Sequence, residues 1–485
     1  SGANTYTGGT TINAGTLSLG ASNVLADAGA LNVAGGTFAM GAYNDTVAAL
    51  SVTSGQVTGT GSLTGASYGF SNASGTVTIS TVIAGNVGIT KTGAGTLVLS
   101  AANTYTGTTT VTEGTLVVTN SAGLGSTAGG TTIAAGATLD LQNVAVGAEQ
   151  ITLAGGTLTD VTSSLAGDVI LTADSNFGAT NVGDTLTLSG VISGSYSITK
   201  IGAGTFVLSG ANTYTGTTTI STGTLSVTGS LADTTAVTVA SGATYNVGAS
   251  DTIASLAGAG NVTLNSNTLT VAGSSDTAYS GVISGTGALV KAGTANFTMS
   301  GANTYTGGTT INAGTLSLGA NDVLANAVVV NVSGGTLDIA SFNDTVGTVT
   351  LSSGSITGTT GELNGTSYDV TNATATTNIS AILAGSGQLT KTGAGTLTLS
   401  AANTYTGATT ISGGILSVAT LANGASNSNI GKSTNAAANL VFDGGTLSYA
   451  GAAVSTDRLF TITNNGGTID ASGSGALNFT NTGAI

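Results

Sequence analysis

The chain has 485 residues, 78 of them glycine, with no proline, cysteine, histidine or tryptophan and a formal net charge of −14. Six basic against twenty acidic residues exclude the clustered cations that nucleic acid or an anionic membrane surface requires, and the lack of cysteine excludes disulfides and thiolate metal sites. Such a composition usually marks disorder, but the mean hydropathy is positive and Val, Ile and Leu recur in short alternating runs, which points to many short strands around a thin core ordered by repetition.

In chain order, the first element is SGANTYTGGTTINAGTLSLGA at 1–21, and its pentapeptide NTYTG, from Asn4 through Tyr6, returns at Asn103, Asn212, Asn303 and Asn403. The spacings are 99, 109, 91 and 100 residues. Val24 to Leu31 carries a weak helical spacing and reads as loop. Gly35-Gly36 then precedes a strand-like run, as Gly155-Gly156, Gly334-Gly335 and Gly444-Gly445 do later; glycine there permits positive φ and sharp corners. The run Lys91 to Ala102 leads into the second NTYTG, with Leu97 and Leu99 on one strand face and Thr96 and Val98 on the other. The same run recurs from Lys200, Lys291 and Lys391, each twelve positions before the next Asn. Residues 300–320 are identical to 1–21, so a block of about 300 residues is duplicated. Such a history suits a spacer of adjustable length.

Short strands between glycine corners, without the Asn-Gly or Asp-Gly pairs of tight hairpins, predict a coil whose turns stack in parallel. The fold expected is all-β, one continuous β-solenoid over 1–485, with repeat units at approximately 1–99, 100–208, 209–299, 300–399 and 400–485. With a turn of ~22 residues and strands ~4.8 Å apart, this makes an elongated rod roughly 100 Å long.

The stretch KTGAGTLVLSAANTYTGTTTVTEGTL, Lys91 to Leu116, resembles the autotransporter-associated β-strand repeat, also called the passenger-associated transport repeat. The runs from Lys200, Lys291 and Lys391 are similar, and the opening resembles the repeat's second half. Segments of the tail, STDRLFT from Ser455 and GGTIDASGSGALNFTNTG from Gly466, resemble sequences found beside such repeats. The resemblance implies a right-handed parallel β-helix exported in long bacterial surface proteins, extracellular and cysteine-free because a periplasmic disulfide would obstruct transit. Segments of ~10 alternating residues with aromatic girdles, the mark of an outer-membrane barrel, do not occur here. Membrane attachment is therefore expected only through an anchor outside this chain.

The repeat positions are the candidate sites. Lys91, Lys200, Lys291 and Lys391 read as solvated cations at a corner, pairing an Asp on the next turn for roughly 0–1 kcal/mol; contacts between neighbouring rods or a Lys–Asn isopeptide are the sharper alternatives. Tyr6, Tyr105, Tyr214, Tyr305 and Tyr405 read as corner covers packed on an adjacent turn, against sugar stacking, while Asn4, Asn103, Asn212, Asn303 and Asn403 hold the turn by side-chain hydrogen bonding. Asp45, Asp344 and Asp251 read as turn formers. The denser group Asp160, Asp168, Asp174 and Asp184 is the nearest approach to a calcium site, without the repeated pattern calcium loops show. With no His or Cys and a single arginine, Arg458, no catalytic residue, cofactor or metal is expected.

The expected function is a structural shaft or fibre segment of an adhesin-type surface protein. A glycan- or cell-binding rod face is the alternative, and a polysaccharide-degrading β-helix enzyme the least favoured reading. Expected partners are further copies of the chain, end to end or laterally, or glycans or proteins of a host or neighbouring cell. The first NTYTG copy lacks the lysine-to-leucine run in this sequence, so the expectation is that either the chain continues upstream of Ser1 or another molecule fills that strand position.

Overall fold

The computed structural model describes residues 2–473 and 475–483, which form short strands and, among the described residues, no α-helix. Two compact units, Ser1–Ala249 and Ser250–Ile485, are built on one plan. Strand Thr96–Leu99 illustrates it. Leu97 pairs Val77 in the turn below and Leu116 in the turn above, both in parallel, so one circuit of the chain returns each strand to the same place one layer higher. Parallel pairing follows from the coil: every turn runs in the same sense, and no hairpin reverses it.

Each turn has three faces. In the first unit one face carries Ile89–Lys91 beneath Thr109–Val111. The next carries Thr76–Ile79, Thr96–Leu99 and Thr115–Val118. The third carries Asp45–Val47, Ser62–Gly65 and Val82–Ala84. The second unit repeats this: Gln388–Lys391 beneath Thr409–Ile411, Thr376–Ile379 beneath Thr396–Leu399, and Asp344, Leu363 and Leu383 stacked on the third face. The period-two alternation puts Leu97, Leu99, Val111 and Leu116 wholly inside, while Thr96 and Val98 are only half-buried. A single turn could not cover such a core; the turns above and below do.

Turn length varies around the expected value. The circuit from Leu50 to its partner Tyr68 is a short one, and that from Leu116 to Leu139 is longer. The circuit from Ile411 to Phe442 is longer again, because it accommodates an extra segment after Val418 with one 3-10 turn at Ala437–Asn439. Gly114 shows why corners need glycine: its φ is +73°, and a Cβ would lie 2.4 Å from the carbonyl oxygen of Gly95 below. The helical spacing at Val24–Leu31 yields a turn followed by strand from Ala30, since Leu31 is needed above Thr10 in the ladder.

Candidate functional site

The repeated polar residues turn inward. Asn103 Oδ1 accepts from the Ile83 amide one turn below at 2.9 Å, and its Nδ2 donates to the Gly123 carbonyl one turn above at 2.7 Å. The side-chain amide thus acts as an extra peptide group where the main chain has left the ladder. Asn212 spans Ile192 and Ser230, Asn303 spans Ile283 and Val323, and Asn403 spans Leu383 and Asn429, all at 2.6–3.0 Å. Each of these asparagines links its own turn to the turns below and above it. Asn4 donates to Val24 at 2.5 Å and is exposed.

The tyrosines follow two residues later. Tyr105, Tyr214, Tyr305 and Tyr405 are fully buried, each hydroxyl within 2.5–2.7 Å of the threonine four residues on: Thr109, Thr218, Thr309 and Thr409. Burial pushes the phenols of Tyr105, Tyr305 and Tyr405 well above their ordinary pKa. Gly125 and Gly431 lie against two of the rings, where an added Cβ would come within 2.9 and 2.7 Å of ring carbons. These four rings cannot stack on a sugar. Tyr6 is different, at 39% exposed, with its hydroxyl on Thr10.

The lysine expectation is overturned. Lys91, Lys200, Lys291 and Lys391 are at most 1% exposed, and they occupy inward-facing strand positions. The aliphatic stem lies in the core, and the ammonium reaches the corner, where backbone carbonyls are concentrated. Lys200 Nζ donates to Ile201 and Gly202 at 2.7 Å and to Thr222 at 3.2 Å. Lys91 caps Gly93 and Glu113, Lys291 caps Gly293 and Ala313, and Lys391 caps Gly393 and Gly413. These partners are main-chain oxygens of the lysine's own corner and of the corner above, so these groups are neither solvated nor free to touch a neighbouring rod. Desolvation lowers all four pKa values, that of Lys200 to about 8 despite the opposing charge of Asp160.

The acids divide into two kinds. Asp45 Oδ2 accepts from the amides of Val24 and Leu25 at 3.0 and 3.1 Å, and Asp344 Oδ2 accepts from Val323 and Leu324 at 2.9 Å. Both are buried and serve the turn below, a longer reach than a turn former has. Asp251 accepts from Thr252 at 3.0 Å. Desolvation raises Asp344 and Asp160 to about 6. Of the sequence-dense group, Asp160 is buried and holds the Ser163 amide at 2.5 Å, Asp168 and Asp174 accept from Val191 and Ser197 at 2.8 Å, and Asp184 accepts from Asn181. They are spread over separate corners, and among the described residues no cluster of three or more metal-ligating side chains forms.

Several buried polar residues escaped the sequence reading. The Tyr68 hydroxyl donates toward Leu63 at 3.0 Å and Ala84 at 2.5 Å and accepts from the Gly65 amide; Tyr368 repeats this with Leu363, Ala384 and Gly365. Their phenols are pushed up to about 12 by burial. Asn72 donates to Gly75 and Thr96, and Asn372 to Ala375 and Thr396. Exact duplication, as SY at 67–68 and 367–368 and N at 72 and 372, was the available signal. Arg458, 1% exposed, donates to Ala422 at 2.9 Å, to Ser433 at 3.1 Å and to Gly431 at 2.8 Å, so the lone arginine pins the extra segment that follows Val418.

The gathered polar groups are therefore spent on backbone amides and carbonyls or, for the repeat tyrosines, on threonine hydroxyls, and they fix geometry. The family model of the passenger-associated-transport-repeat matches residues 1–19, 89–118, 198–227, 289–318 and 389–418, which are the segments carrying these lysines, asparagines and tyrosines. The chain is similar to the adhesin BmaC autotransporter of Brucella suis biovar 1 (strain 1330), at 34% identity over 514 aligned positions that cover 82% of this chain and 15% of that relative. No solved structure matches it. The chain is a β-solenoid that carries five matches to the passenger-associated-transport-repeat.

Proposed function

We propose that this chain is a non-enzymatic, surface-displayed passenger segment of an adhesin, acting as a shaft that holds contact surfaces away from the cell. The observation that carries this reading is that the repeated side chains, apart from the opening copy, are consumed internally. Four tyrosines, four lysines and four asparagines of the repeat are buried; the lysines and asparagines bind neighbouring turns, and each tyrosine hydroxyl meets the threonine four residues on. A repeat whose polar chemistry faces inward multiplies scaffold, not binding sites. The similarity to a protein named an adhesin autotransporter supports placement on a bacterial surface.

The surface chemistry bears on partners. Five of the six basic residues are buried, leaving Lys432 exposed among many carboxylates. Side-by-side association of copies therefore meets like charge on both surfaces, and end-to-end stacking into filaments is the self-association this reading favours. Deletion of one repeat unit, such as 300–399, tests the shaft: a shorter, folded chain is expected by circular dichroism and small-angle scattering, and global unfolding would overturn the reading. Imaging by electron microscopy over a salt series tests filament formation.

A further inference from the structure

The coils of the first unit are not uniform between the repeats. The circuits from Leu116 to Leu139 and from Phe177 to Lys200 are long, and the two between them, Leu139 to Leu158 and Leu158 to Phe177, are shorter. The difference falls in one place, the connection from a strand of the second face to the next strand of the first face. That connection is long from Val118 to Thr131, short from Gln142 to Ile151 and from Val161 to Val169, and long again from Ala179 to Ile192. Two short segments thus lie between two long ones, and the surface is recessed over them. One hollow of about 520 Å³ is lined by Asn143, Ala145, Thr162, Ser164, Thr185 and Thr187, among others. A second of about 380 Å³, including Gln150 and Asp168, lies over the far ends of the same segments.

The floor of the first hollow is unusual and held by hydrogen bonds. Asn143 and Thr162, stacked one turn apart, both have left-handed backbone, at φ +54° and +50°. A β-branched residue in that region is a conformation the surroundings must impose. They do: buried Asp160 accepts from the Ser163 amide, and Ser163 Oγ accepts from the Val144 amide at 3.2 Å. The Ala145 amide is taken by Ser121 Oγ at 3.1 Å. What faces solvent is a fixed set of hydroxyl, amide and small apolar groups without a cation.

We propose that this recess is a binding subsite for a neutral oligosaccharide. This deepens the adhesin reading and rests on it. Hydroxyl and amide groups on a preorganised floor suit a ligand that is itself rich in hydroxyls and has small apolar patches. Asp140, Asp168 and Asp184 lie on or beside the same segments and disfavour sialylated or sulfated glycans. A peptide would need a free strand edge or a deep apolar anchor pocket; the strand Ser163–Leu165 is paired below and above, and at the edge strand Ala145–Val146 the Ala145 amide is already held by Ser121 Oγ.

The test is a glycan array spanning neutral, sialylated and sulfated structures, followed by titration of the strongest neutral binder. Ala145→Trp, at an exposed position on the floor, fills the hollow; Thr398→Trp, on a strand face of the second unit, is the control. Retained circular dichroism and melting show that both variants fold. The expected result is saturable neutral-glycan binding weakened at least tenfold by Ala145→Trp and unchanged by Thr398→Trp. No neutral binder, undiminished binding in Ala145→Trp, or preference for anionic glycans would overturn the proposal. The unit-deletion experiment is independent of it, so the shaft and the subsite fail separately.

Discussion

Residues 2–20 and 301–319 have the same sequence and different surroundings. Tyr305 is fully buried and Tyr6 is 39% exposed. Asn303 binds turns below and above through Ile283 and Val323, while Asn4 binds Val24. Tyr305 has beneath it a turn that includes Ile283 and Phe297, and that turn, not the pentapeptide, makes its environment. The motif carries the geometry for joining turns; its energy comes from neighbours, as expected where stability is cumulative along a solenoid.

The comparison is broken most sharply by truncation. Tyr305→Ala should cost about 3–5 kcal/mol, the range for a large buried aromatic, and Tyr6→Ala less than about 0.5 kcal/mol, as for an exposed position. Urea unfolding of both variants measures the contrast, and equal losses would remove it. A smaller effect separates an inward lysine from a surface one. Lys391→Met strands the Gly393 and Gly413 carbonyls in the interior and should cost about 2–3 kcal/mol, whereas Lys432→Met should be near neutral.

Buried carboxylates give a similar magnitude with a definite sign. Asp160 and Asp344 titrate at about 6 in the folded chain because burial disfavours the anion, against about 3.9 when unfolded. Between about pH 4 and 6 the folded chain holds protons that the unfolded chain has released, so stability rises as pH falls through that window. Each contributes on the order of 2–3 kcal/mol. Melting temperature should therefore increase from pH 7.5 to pH 4.5, and the double variant D160N/D344N should flatten the rise. Last, Thr162→Gly relieves a left-handed threonine and should stabilise the chain by about 1 kcal/mol or less. That outcome, read by thermal melting, would mark the recess as a place where stability is traded for shape.

Much of the architecture was legible in advance, because period-two alternation is a local signal; the glycine pairs were weaker guides, since Gly155 and Gly444 take positive φ but Gly35-Gly36 and Gly334-Gly335 lie within strands and do not. GTLVLS declares a half-buried strand by itself, and Gly114 declares a corner. The polar site was legible in position but not in orientation. Lys91 lies on a strand whose inward register is set by Ile89, also buried; read alone, a lysine between threonines looks exposed, since isolated buried ammonium groups are costly. The carbonyls that offset this cost belong to residues 22 positions away, Glu113 for Lys91 and Gly413 for Lys391, and sequence spacing reveals them only once turn length is known. Asp45 and Asp344 were read as local turn formers for the same reason, since their amide donors lie 20 and 21 residues back. The recess was hidden further still, because it arises from differences in turn length rather than from any motif.

The central claim, that the repeat's polar side chains face inward, is tested most directly by amine acylation of the native chain, read lysine by lysine by peptide mass spectrometry. The account predicts rapid labelling at Lys432 and protection at Lys91, Lys200, Lys291 and Lys391 that denaturant abolishes. Comparable labelling of all five in the native state would contradict it.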